Sequence, residues 1–282
     1  MLKKLWQVIV AIVLALMAIM FSVSTVTNIG CTVKTDTLFV HDTTNLGACF
    51  AAFINENYQA AFLFSDPMAD LSSSDVKIRW GSNTHTFSRK GYGEGPAIQF
   101  SDTLLLSIGV TYTVSLFSNL GGCEGNCIIP DTCQITHPSD NDTLRLGWNV
   151  LVSWNRAQNA NFYYIYYGFG AYDSAGYWIE YISGNTFALD TTCTIPASFF
   201  NVPGAAYYQG GVYVYPYYGP IPQAGATGNM QGFVKGFLYA EGEEGWVYFY
   251  VGTPYKKLSV MEFPKPTKKD AHKAILSRLG LR

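Results

Sequence analysis

The segment ITHPSDNDTLRLGWNVLVSW, residues 135–154, decides how the chain is read. Pro138, Ser139, Asp140, Asn141 and Asp142 form a turn cluster, because proline fixes φ and Asp and Asn side chains bond their own backbone. Beyond it Val150, Val152 and Trp154 share one phase of a period-two pattern, with Leu151 and Ser153 in the other, which predicts a half-buried strand. A second run follows with Tyr163, Ile165 and Tyr167 in phase. The segment therefore reads as a chain that leaves one β-sandwich, turns through a polar loop and enters the next.

A Trp that closes one strand, followed by Tyr-x-Ile-x-Tyr in the next, resembles the B and C strands of fibronectin type III and immunoglobulin-like modules, as found in tandem on bacterial surface lipoproteins. Residues 106–114, LSIGVTYTV, resemble the Leu-x-x-Gly-x-x-Tyr-x-Val passage into a late strand of fibronectin-like domains. The resemblance implies an all-β chain of two immunoglobulin or fibronectin III-like sandwiches in tandem, placed outside the cytoplasm. It implies no activity, because this fold hosts adhesion, sugar binding and plain spacing alike.

Length and composition agree with that architecture. A chain of 282 residues suggests about two domains. With 49% hydrophobic and 13% charged residues a core is easily built and global disorder is excluded. We divide the chain into an N-terminal signal or anchor (1–31), a first sandwich (32–133), a second sandwich (134–255) and a basic tail (256–282). The net charge of −2 hides an asymmetry: between residues 31 and 255 there are 18 acidic and 8 basic residues. An acidic body speaks against nucleic acid, whose phosphates need a basic face.

Lys3 and Lys4 precede an unbroken apolar run over 8–21, the length of a signal-peptide core and short of the roughly 20 residues that span a bilayer. Three routes stay open. Asn28-Ile29-Gly30-Cys31 resembles a bacterial lipobox, with Cys31 as the lipidated residue, although Asn28 stands where Leu is usual. Ser22-x-Ser24 offers ordinary cleavage. Extension of the apolar run through Val26 would make a retained membrane anchor. Each route sends the body out of the cytoplasm, with the membrane as a partner of the N-terminal segment.

In the first module, Val76, Ile78 and Trp80 alternate with Lys77 and Arg79, and Gly81-Ser82 fits a two-residue hairpin turn. Val110, Tyr112, Val114 and Leu116 share one face. Gly91-Tyr92-Gly93-Glu94-Gly95 lacks the strand-to-helix setting of a nucleotide loop and reads as a flexible connection. His41 and His85 read as structural or exposed.

Six cysteines are present: Cys31, Cys49, Cys123, Cys127, Cys133 and Cys193. In an exported chain disulfides are the default. The expectation is that Cys49 pairs with one of Cys123, Cys127 and Cys133 and braces the first module. A competing reading makes Cys123, Cys127, Cys133 and His137 a zinc set, but their spacing lacks the paired knuckles of known structural sites. No metal or other cofactor is expected.

Seventeen of the twenty tyrosines fall in the second module. Val212 and Val214 share one face of a strand, and Tyr213, Tyr215 and Tyr217 share the other. Val247, Phe249 and Val251 likewise stand opposite Trp246, Tyr248 and Tyr250. Tyr164 and Tyr166 point away from the core if Tyr163, Ile165 and Tyr167 point into it. Strands C, F and G of such a sandwich lie in one sheet, so these eight rings would form one ladder on its outer face. That ladder is either cross-strand packing, at roughly 0.2–1 kcal/mol per pair, or a binding platform exposed to a partner.

Glu241-Gly242-Glu243-Glu244-Gly245 is read as a solvated acidic hairpin turn, and Asp140-Asn141-Asp142 as a turn without the ligand series of a calcium loop. The tail punctuates Lys-rich sequence with Pro254, Pro264 and Pro266. A short helix follows, started by Asp270, with Ala271, Ile275 and Leu279 on one stripe. Ten residues are marginal for a lone helix, so the tail is expected to be solvated, with docking onto an anionic surface as the alternative. No nucleophile elbow, zincin, Walker or Rossmann motif is present. The expected function is a non-catalytic cell-envelope interaction or assembly module that meets an envelope protein or polysaccharide through the ladder. A carbohydrate-binding module is the alternative, and a hydrolase with an unrecognised site comes third.

Overall fold

The computed structural model describes residues 50–55, 60–64, 75–92, 97–101, 106–118, 121–232, 236–254 and 268–279. The signal or anchor segment with Cys31, and also His41, Cys49 and residues 93–95, lie outside the described residues. Among those described, no helix is long and apolar enough to cross a membrane.

The first sandwich is built from β1 (Phe50–Asn55), β2 (Ala60–Phe64), β3 (Asp75–Trp80), β4 (Asn83–Thr86), β5 (Ser88–Tyr92), β6 (Ala97–Ser101), β7 (Thr111–Ser118) and β8 (Gly121–Ile128). Its strands pair in two runs, β4-β3-β7-β8 and β1-β2-β6-β5. In immunoglobulin lettering these are C′CFG and ABED. The alternation read from sequence holds: Val76 and Ile78 are fully buried, and Tyr112, Val114 and Leu116 lie on the inner face of β7. Gly81 and Ser82 close the β3–β4 hairpin between Trp80 and Asn83, with Gly81 at φ 53°. At the entry to β7 the Tyr112 hydroxyl accepts the backbone N–H of Ser107 at 2.7 Å. That bond back to the preceding corner is the tyrosine corner of such sandwiches.

The second sandwich comprises β9 (Ile135–His137), β10 (Thr143–Leu144), β11 (Val150–Trp154), β12 (Phe162–Tyr172), β13 (Trp178–Ala188), β14 (Thr192–Ile195) and β15 (Tyr207–Tyr218). It is completed by β16 (Met230–Gly232), β17 (Gly236–Glu241) and β18 (Gly245–Val251), and α1 (Lys268–Leu279) follows. One sheet is β14-β11-β9. The other runs β13-β12-β15-β18, so β12, β15 and β18 are the C, F and G strands that the sequence pairs in one sheet. Between the two sheets lie Val150, Val152, Trp154, Ile165, Phe169, Val212, Val214, Val247, Phe249 and Val251. Complete burial of a side chain of this size contributes about 1.5–3 kcal/mol. Trp154 meets Tyr163 edge-on at 5.2 Å. A second tyrosine corner, not seen in the sequence, joins the Tyr208 hydroxyl to the Val202 N–H at 2.8 Å.

The two sandwiches share strands across residue 133/134, where the sequence reading places a boundary. Between β15 and β18 the chain makes a long excursion. On it, β16 adds antiparallel to β8, and β17 adds parallel to β1. The F–G connection of the second sandwich thus bridges both sheet edges of the first.

Residues 241–245 are a correction to the sequence reading. They are not a hairpin turn, because β17 and β18 both pair with the same edge of β15. Tyr217 faces Glu241 and Val214 faces Gly245. Tyr215 and Pro216 are therefore opposed by one residue more than they number, which is a bulge. Pro216 has no N–H to give a ladder and is tolerated at such a point.

Candidate binding surface of the second sandwich

The period-two reading put the right residues on the outer face of the CFG sheet. Tyr164 lies opposite Tyr215, Tyr166 opposite Tyr213, and Tyr213 opposite Trp246. What the reading missed is a cover. Helix α1 lays Ala271, Ile275, Leu276 and Leu279 over Phe162, Tyr164, Tyr215, Tyr217, Phe237 and Tyr239. The stripe of Ala271, Ile275 and Leu279 proposed from the 3.6-residue period is the stripe that docks. The expectation of a solvated helix is therefore corrected. Twelve residues are marginal alone, and the apolar floor supplies what propensity does not. Beneath the helix Phe162 stacks on Tyr217 at 5.3 Å, and Arg278 stands 5.2 Å above Phe187.

Of the eight rings expected to face water, five do not. Tyr164, Tyr215 and Tyr217 are buried in the cluster under α1, and Tyr248 and Tyr250 are also buried. Tyr166 and Tyr213 are half-buried, and the Tyr166 hydroxyl lies 3.1 Å from that of Tyr181. Trp246 alone stays open, at 61% exposure. Burial pushes the Tyr164 hydroxyl up to about 12, with Asp270 and Tyr166 adding to the effect.

Sequence reasoning also missed the polar centre of this face. Glu241, read as part of a solvated turn, is 1% exposed. Its Oε2 accepts from the Tyr217 hydroxyl at 3.0 Å and lies 3.1 Å from Nε2 of His272 on α1. Burial and the adjoining carboxylate hold the Tyr217 hydroxyl well above its ordinary value. The available signal was the sole His of the helical stripe, one residue after Ala271. A polar group on a docking face needs a buried partner.

Trp246 borders an open groove of about 690 Å³ between β18, the linker before β9 and the loop after it. Its polar lining includes Thr132, Gln134, Thr136, Asp140 and Glu244. The Pro138–Asp142 turn is held by its own side chains: the Ser139 N–H donates to Asp142 Oδ2 at 2.8 Å, and Asn141 Nδ2 donates to Asp140 Oδ2 at 2.8 Å. Asp140 Oδ1 accepts the Tyr248 N–H at 3.3 Å. This loop is thereby tied to β18.

The cysteines are a further correction. Cys123, Cys127, Cys133 and Cys193 are free thiols, so the expected bridge to the junction cluster is not made. Cys123 and Cys127 sit four residues apart on one strand, Cys193 lies in the opposite sheet of the other sandwich, and Cys133 Sγ donates to the Val214 carbonyl at 3.2 Å. Burial pushes the Cys123 and Cys127 thiols up to about 12. His137 is exposed on β9 while Cys127 is enclosed within the first sandwich, so the zinc set is not assembled. Among the described residues no group of three or more His, Cys, Asp or Glu could hold a metal ion.

No family model matches the chain, and no curated protein matches it. Solved structures that it resembles include the Clostridium thermocellum CbhA fibronectin(III)-like modules, at 10% identity over 76% of this chain and 95% of that one, with a TM-score of 0.26. The chicken CNTN1 FN1-FN3 domains match at 10% identity over 73% of this chain and 67% of that one, with a TM-score of 0.24. The BSP domain of a biofilm associated protein matches at 13% identity over 70% of this chain and 28% of that one, with a TM-score of 0.20. Superpositions this loose carry no argument by themselves. The tandem fibronectin III-like architecture rests on the strand ladders and the two tyrosine corners of this chain.

Proposed function

We propose that the chain is a non-catalytic, extracytoplasmic interaction module of the cell envelope. Its contact surface is the groove beside Trp246 and not the whole tyrosine ladder. The observation that supports this reading is the contrast among the eight rings: five are buried, two are half-buried, and the large ring left open borders a cleft with polar lining. An exposed aromatic side chain beside a cleft marks an interaction site far better than scattered surface apolar residues do. The membrane, through the N-terminal segment, and an envelope protein or polysaccharide, through the groove, are the partners that this reading names.

Retention of the purified full-length chain on isolated envelope material, compared with Trp246→Ala, tests the proposal. Wild type is retained and the variant elutes early. Equal retention of the two proteins would remove the groove from the account. Mass spectrometry of the mature N-terminus tests export, since each of lipidation at Cys31, cleavage near Ser24 and a retained anchor leaves a different mass.

A further inference from the structure

We infer that the groove takes a neutral pyranose chain, stacked on Trp246 and hydrogen-bonded by Gln134, Thr136, Asp140 and Glu244. This rests on the reading above that the groove is the contact surface, and it names the ligand class.

The first part of the argument is the ring. Trp246 is 61% exposed and enters none of the ring pairs found among the described residues. A flat, open indole offers a face to the C–H surface of a sugar ring and an N–H to a hydroxyl. The second part is the lining. Carboxylate, amide and hydroxyl side chains are the groups that pair with sugar hydroxyls, and Asp140 is already oriented by the Tyr248 N–H and the Asn141 amide. A preorganised acceptor loses little freedom on binding. The volume of about 690 Å³ falls within the range of about 300–1,000 Å³ typical of ligand clefts.

Charge narrows the class. Asp140 and Glu244 line the groove, and among its described lining residues there is no Lys or Arg. A polyanionic chain would bring its own carboxylates or phosphates against these two carboxylates. A neutral sugar chain meets no such penalty.

The strand edge argues against an extended peptide. Backbone groups of Tyr248 and Tyr250 are already taken, by Asn141 N–H to Tyr248 O at 2.7 Å and by Tyr250 N–H to Asp142 O at 2.8 Å. What remains of the β18 edge beside the groove is Gly245 to Val247. Strand addition draws its affinity from a run of main-chain bonds, and typical strands run about 5–6 residues. Three residues make a poor template.

The test uses the full-length chain and three probes: a linear neutral glucose hexamer, an N-acetylglucosamine hexamer and a galacturonic acid hexamer. Titration calorimetry gives affinity, and indole fluorescence reports ring stacking. The expected result is binding of at least one neutral hexamer with a fluorescence change, and none of the acidic hexamer. Trp246→Ala should weaken that binding about tenfold or more, and Trp246→Phe should keep most of it. Gln134→Ala, an exposed position, should weaken it without altering the fold. Two results would overturn the assignment: equal binding of the acidic hexamer, or neutral binding untouched by Trp246→Ala. Failure of both neutral hexamers, alongside Trp246-dependent retention on envelope protein, would also sink the glycan class while leaving the interaction module standing. Loss of every Trp246-dependent interaction would remove both.

Discussion

Glu241 Oε2 lies 3.1 Å from His272 Nε2, across 31 residues of chain, and neither side chain is more than 3% exposed. Glu241 ends the strand that pairs with β1 of the first sandwich and touches β15 of the second. His272 belongs to the helix that covers the aromatic face. One contact therefore ties the helix to the strand shared by both sandwiches. Removal of one member of a buried polar pair leaves the other without compensation, at about 3–5 kcal/mol when both are charged. His272→Ala is expected to cost about 2–4 kcal/mol, since the Tyr217 hydroxyl still serves Glu241. The double variant Glu241→Leu/His272→Leu should cost clearly less than the two single changes summed. A double-mutant cycle in urea decides it: additive costs would show that the two residues do not act as a pair.

The helix itself is held by packing. Ile275 is fully buried against the tyrosine cluster. Ile275→Ala should remove about 2–5 kcal/mol of contact and cavity energy. Because α1 is short, most of that loss should appear as local opening of the helix before the sandwich unfolds. Hydrogen exchange over 268–279 should accelerate, and an apolar dye should bind the uncovered rings of Tyr164, Tyr215 and Tyr217. Unchanged protection of the helix in this variant would mean that other contacts hold it down.

These two relationships mark where sequence reading stops. Alternation told correctly that Val212 and Val214 face inward and that Tyr213, Tyr215 and Tyr217 face outward. A period of two assigns sides of a sheet but says nothing of what lies above a side. The tail's 3.6-residue stripe was visible, and so was the outward aromatic band. Joining them requires knowing where a linker of several Lys and Pro residues delivers the helix, and that is a matter of tertiary structure. The F–G excursion was hidden for a similar reason. Nothing in residues 230–232 or 236–241 states that their partners are β8 and β1. The passage into β7 was legible because Leu106, Gly109 and Tyr112 stand at the family spacing, although its corner bond was not. The corner at Tyr208 sits one residue beyond that spacing.

Buried thiols and phenols make the fold sensitive to alkali. The Cys127 thiol is pushed from its ordinary value of 9.0 up to about 12 by burial, and the Tyr164 hydroxyl from 10.0 up to about 12. Their raised values mean that the native state holds these protons more tightly than the unfolded chain does. The stabilisation is complete below about pH 9 and is lost as the pH rises through about 12, at up to about 1.4 kcal/mol per pH unit for each group. Urea midpoints should therefore be level near neutrality and fall beyond about pH 9. Thiol reagents at about pH 8 should label Cys123 and Cys127 slowly in the native protein and fully after unfolding. Rapid native labelling of Cys127 would contradict its place in the core.

The bulge at 242–244 depends on close approach of two backbones. Gly242 donates its N–H to the Pro216 carbonyl at 3.0 Å. A Cβ added there would stand 2.7 Å from the carbonyl oxygen of Pro130 and 3.0 Å from that of Asp131. At Gly245 an added Cβ would run into the Cys133 carbonyl. In both cases the obstacle is main chain of the linker between the sandwiches, which cannot swing aside as a side-chain end can. Gly242→Ala and Gly245→Ala should each destabilise by about 1–3 kcal/mol, the range for forced overpacking. The second change should do more, because displaced backbone at Cys133 carries its Sγ away from the Val214 carbonyl and shifts one wall of the groove that Trp246 borders. Gly245→Ala is therefore expected to weaken binding at that groove as well as stability, whereas Gly242→Ala, outside its lining, should lower stability alone. Thermal unfolding and titration of the two purified variants side by side separate these outcomes. Equal effects of the two on binding would show that the groove does not depend on how closely the linker packs against β18.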